Sequence, residues 1–97
     1  MNALEQLGDQ INPWRERLLL KGLAKINEQD IQEVNQFIMT ARQLDMNFLI
    51  QLLERIEAQG RAYVRSSRAD IADVTESYFY LCQYMEFINK DASSIIE

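Results

Sequence analysis

The stretch MNFLIQLLERIEAQGRAYVR, residues 46–65, decides how the chain folds. At about 100° per residue, Met46, Leu49, Leu53, Ile56, Gly60, Tyr63 and Val64 share one arc of a helix. A break at Gly60 would reset that phase, and the phase does not reset. The spacing therefore predicts a single helix to about residue 65, despite the ~1 kcal/mol that glycine costs in a helix interior. Gly60 then lies on the buried face, where a missing side chain lets a neighbouring backbone approach closely. Gly22 is expected to do the same on an earlier helix.

N-terminal to this helix, Asp45 reads as its N-cap, so tight a junction that the preceding helix must pack antiparallel to it as a hairpin. That preceding helix begins at Asn27, with Asp30 three residues on in a capping arrangement. Glu28, Asp30 and Glu33 put negative charge where a helix start favours it. Its buried face is Ile31, Val34, Phe37, Ile38, Ala41 and Leu44. Further upstream, Asn12 followed by Pro13, the only proline, reads as an N-cap and first helical position. This predicts a helix over 13–26 that buries Leu19, Leu23 and Ile26, with Leu18 and Leu20 at its margins. A separate short helix over 3–11 carries Leu4, Leu7 and Ile11.

C-terminal to the opening stretch, Ser67-Arg68-Ala69-Asp70 has the Ser-x-x-Asp form of a helix start, predicting a last helix over 67–89. Its core face is Ile71, Val74, Tyr78, Leu81, Cys82, Met85 and Ile88. Alternating apolar and polar runs are missing, as is most of the punctuation that separates strands. The fold class expected is all-α, an antiparallel four- to five-helix bundle. Residues 1–97 form one domain, because a chain this short cannot divide its apolar residues between two cores.

The last helix is more apolar than one core requires. Tyr80, Tyr84 and Phe87 form a second stripe at i, i+4, i+7, about 150° round the helix from the first, and Phe79 stands roughly at right angles to the core. Aromatic side chains on an outer helical face are what interface cores are enriched in. Asp73, Glu76, Gln83 and Asp91 flank them as a polar rim. The stripe predicts a helix-to-helix contact, in a homodimer or with a different protein, unless the chain's own N-terminal segment folds across it.

Charge offers a second reading. Ten Lys and Arg against fifteen Asp and Glu give a net charge of -5, which opposes general attraction to nucleic acid or anionic lipid. Locally, though, Arg61, Arg65 and Arg68 share a helical face with no acid between them, an arrangement suited to phosphate. Arg15, Arg17, Lys21 and Lys25 form another basic group, offset within its own helix by Glu16.

The chain contains no histidine and one cysteine, Cys82. The commonest general base, the commonest transition-metal ligand, an intrachain disulfide and any multi-cysteine zinc site go with them. No phosphate loop or nucleotide motif occurs, the carboxylates concentrate at helix starts and outer faces, and Cys82 is expected to be an inert core side chain. No enzyme activity and no cofactor are expected. Three consecutive leucines, 18–20, are the longest obvious apolar run, far short of a membrane span. The opening MNALEQLGDQ has neither the positive start nor the apolar stretch of a secretory signal, which predicts the cytoplasm.

The expected function is thus a small non-catalytic interaction module, an adaptor, chaperone, inhibitor or regulatory subunit, that works through Tyr80, Tyr84, Phe87 and Phe79. The alternative is an accessory subunit of a nucleoprotein complex contacting phosphate through Arg61, Arg65 and Arg68. A ligand pocket lined by Tyr63, Tyr78 and Met85 is a third possibility that spacing does not separate from core packing.

Overall fold

A computed structural model of the chain describes residues 3–66 and 70–96, with side chains over 4–66 and 70–88. Four α-helices account for nearly all of it: α1 (Ala3–Lys21), α2 (Glu28–Gln43), α3 (Asn47–Arg65) and α4 (Ile71–Ile96), with one turn of 3-10 helix at Leu23–Lys25. They pack as a ring, α1 on α2, α2 on α3, α3 on α4 and α4 back on α1. Side-chain pairs fix the directions. Arg42 faces Glu54 while Arg61 faces Glu28, so α2 and α3 run antiparallel. Gln59 meets Ser77 while Phe48 meets Tyr84, so α3 and α4 do too.

The two N-terminal helices expected from Asn12-Pro13 are one. α1 runs through Pro13, which is exposed, so the Asp9 carbonyl that loses its usual partner can be hydrated. Leu7, Ile11, Trp14 and Leu18 explain why the helix continues: all are buried, and all lie in one phase across the proline. Their burial, at roughly 1.5–3 kcal/mol each, outweighs the ~3 kcal/mol of an interior proline. Asn12 does not cap; its Oδ1 accepts from Arg15 Nε at 2.9 Å. With the phase set by Trp14, Leu18 is buried while Leu19 and Leu20 face outward, 63% and 88% exposed, so the expected burial of Leu19 is reversed.

Gly22 ends α1 rather than admitting a neighbour. Its φ of 96° is left-handed, its N–H bonds the Leu18 carbonyl at 2.9 Å, and a Cβ there would meet nothing within 4 Å. Gly60 is the reverse case: it is buried as its spacing implied, but a Cβ would sit 3.3 Å from Ile31 Cγ1, so the space is filled by a side chain of α2 rather than by a neighbouring backbone.

Asp45 closes α2 instead of opening α3. It has φ 53°, its N–H bonds the Arg42 carbonyl at 3.1 Å, and the Met46 N–H bonds the Ala41 carbonyl at 3.1 Å. Those two bonds make a Schellman ending, with aspartate in the left-handed position that glycine usually fills. Met46 is then the N-cap of α3 and makes no side-chain cap. The Asn27–Asp30 capping box is present as expected. The Ser67 start of the last helix lies outside the described residues; at the head of α4, Asp70 Oδ1 accepts from the Ala72 N–H at 2.9 Å.

Trp14 is the hinge pin of the core. Its ring stands edge-on to Phe37 of α2 at 5.6 Å and lies 6.4 Å from Tyr78 of α4, and its Nε1–H donates to the Asp30 carbonyl at 3.1 Å. The one polar tip on a buried surface is thereby satisfied.

Candidate functional site

The α1–α2 seam is electrostatically closed. The Asp30 side chain is buried and accepts from the Asn27 N–H at 3.1 Å, from Lys21 Nζ at 2.6 Å and from Arg17 at 3.4 Å, while Arg17 also pairs with Glu33. Arg61 reaches the same end of α2, 3.7 Å from Glu28, and lies 3.8 Å from Glu57 of its own helix. Arg17 and Lys21 of α1 and Arg61 of α3 thus meet a row of acids, Glu28, Asp30 and Glu33, on the first turns of α2, while Arg15 faces Glu86 of α4. Cross-helix pairs of this kind have no signature in the spacing of any single helix. Arg65 is exposed at the end of α3, and Arg68 lies outside the described residues.

The α4 outer face is open. Phe87 is 64% exposed, Phe79 51% and Tyr80 47%, so among the described residues nothing seals them from solvent. Tyr84 is half-buried, its ring 5.3 Å from Phe48 of α3, and this burial raises its phenol pKa above the ordinary value. Phe48 is itself 60% exposed and extends the stripe across the α3–α4 seam. Nothing in the spacing of α4 could reveal it, because it comes from another helix. The structure therefore brings Tyr80, Tyr84 and Phe87 together and adds Phe48. Phe79 turns away, packing edge-on to Tyr78 at 5.7 Å and lining a separate groove with Leu19, Cys82 and Gln83 between α1 and α4.

Cys82 is half-buried on the wall of that groove rather than sealed in the core. Tyr78 beside it is buried, and its hydroxyl donates to the Arg15 carbonyl. Burial, and then the neighbouring Cys82 thiol, push the Tyr78 phenol far above its usual pKa. Tyr63 belongs elsewhere: its hydroxyl bonds the Ala24 carbonyl at 3.2 Å, and it lines a groove with Ile26 and Val64. Tyr63, Tyr78 and Met85 therefore do not frame one pocket. Among the described residues no three His, Cys, Asp or Glu side chains are placed to hold a metal ion, and no helix is long and apolar enough to cross a membrane. No protein-family model, curated protein or solved structure matches this chain, so its function rests on its own geometry.

Proposed function

We propose that this chain is a non-catalytic cytoplasmic module that binds protein through the outer aromatic face of α4, as an adaptor, chaperone, inhibitor or regulatory subunit. One observation carries the reading: Tyr80, Phe87 and Phe48 leave three large rings uncovered on one two-helix face, in a bundle that buries Trp14, Phe37 and Tyr78. Covering such rings releases water at roughly 25 cal/mol per Å² of apolar surface, the main source of association energy. Phosphate recognition has less support, because Arg61 already faces Glu28 and Glu57.

Site-specific photo-cross-linking tests the proposal. A benzophenone side chain in place of Phe87 is expected to yield discrete adducts with protein in native lysate, and the same probe at exposed Gln32 on α2 is expected to yield none. Equal labelling from both positions, or none from either, would refute it.

A further inference from the structure

The groove between α3 and α4 has Phe48, Gln51, Leu52 and Arg55 on one wall and Glu76 and Tyr80 on the other. Arg55 and Glu76 are both exposed, and neither takes part in an ion pair among the described residues. One unpaired cation and one unpaired anion thus stand across from each other, beside rings that the bundle leaves bare. We infer that this face is a contact between two copies of the chain, related by a twofold axis that runs along the groove. The inference rests on the outer-face reading of α4 and names its partner.

Symmetry selects both the occupant and the axis. In a twofold contact residue i meets j of the partner and j meets i, so a self-binding face must carry both signs of charge in matched places. Position along the groove follows from two pairs, Phe48 with Tyr84 towards one end and Gln59 with Ser77 towards the other, which sets Arg55 and Glu76 on the Gln59 side of Phe48. An axis parallel to the helices preserves that position and exchanges the walls. It lays α3 of one copy on α4 of the other, with Arg55 over the partner's Glu76 and Phe48 over the partner's Tyr80 and Tyr84. Each ion pair then forms twice, and aromatic end meets aromatic end. The other axis in the plane of the face, perpendicular to the helices, reverses the groove, lays α3 on the partner's α3 and sets the Phe48 end against the charged end, losing both matches.

The face sets the strength. From residue 73 to residue 87, α4 spans about 21 Å, and two helices side by side are about 18 Å wide. Several hundred Å² per copy is below the roughly 800 Å² of a standard interface, so the dimer should dissociate in the micromolar range.

Sedimentation of the full chain, from about 1 µM to about 1 mM, tests this. The unaltered chain is expected to pass from monomer to dimer. Arg55→Glu and Glu76→Arg each set like charges opposite one another twice, and each should weaken the dimer about tenfold or more. The double variant Arg55→Glu/Glu76→Arg restores opposite charges and should return to within about threefold of the starting affinity. Both positions are exposed, and a urea melt of each variant shows whether it is folded. Phe48→Ser, which alters no charge, should weaken the dimer as well. A monomer throughout, single variants that leave the affinity unchanged, or a double variant no tighter than the singles would each overturn the inference. The Phe87 cross-linker separates its failure from that of the parent reading. A monomeric chain that still cross-links to other proteins loses the homodimer and keeps the outer face, whereas a monomer with no adducts loses both.

Discussion

The α1–α2 seam and the α3–α4 seam are built from the same kinds of residue to opposite effect. Between α1 and α2, Trp14 is buried with its N–H bonded, Asp30 is buried with three donors, and Arg17 and Lys21 are paired. Between α3 and α4, Phe48 and Tyr80 stand half in water, and Arg55 and Glu76 take part in no ion pair among the described residues. This chain can close a helix seam completely with a ring and a few charges. The seam left open is therefore the one with capacity for something else.

Breaking the closed seam should have the largest effect. Asp30→Ala strands Lys21 beside a helix start with no buried carboxylate, and is expected to cost about 3 kcal/mol or more in urea denaturation. Next is Tyr78→Phe, which removes the hydroxyl that ties α4 to the Arg15 carbonyl and should cost about 1 kcal/mol at pH 8. It also has a pH signature. The folded phenol holds its proton above the unfolded value of about 10, so its contribution is fully present below that pH and declines as pH rises beyond it. Stability of the parent chain should therefore fall as pH rises above about 10, and Tyr78→Phe should flatten that fall; the shift at Tyr84 leaves a residual slope of the same sign.

Asp45→Gly should raise stability by up to about 1 kcal/mol, since glycine takes the left-handed position of the Schellman turn without a Cβ penalty. A loss on that change would return Asp45 to the role of an α3 cap. Smallest is Phe87→Ser on the open face, expected to change the unfolding free energy in urea by less than about 0.5 kcal/mol while weakening self-association in sedimentation. A large loss of stability there would mean that the ring belongs to the bundle after all.

Periodicity made much of the fold legible. The core faces of α2 and α4, the end of α3 at Arg65 and the Asn27–Asp30 box all follow from spacing within one helix. Pro13 misled because Asn-Pro is a strong local start signal. The phase test that carries α3 through Gly60 also carries α1 through Pro13, since Leu7, Ile11, Trp14 and Leu18 keep one arc. Asp45 misled for a related reason: aspartate favours both a cap and a left-handed turn, and only backbone bonds separate the two. At the candidate interface, the stripe on α4 was legible. Phe48, and the pairing of α1 cations with α2 acids, were not, because each depends on which helices become neighbours.

The ring of four helices has a kinetic consequence. Three of its contacts join helices adjacent in the chain, and only α1 against α4 links residues as far apart as Arg15 and Tyr78. Local pairings close cheaply, so the α2–α3 hairpin should supply the folding nucleus and α1 should dock on α4 late. In stopped-flow experiments, loss of the Tyr78 hydroxyl would then speed unfolding and leave the refolding rate nearly unchanged.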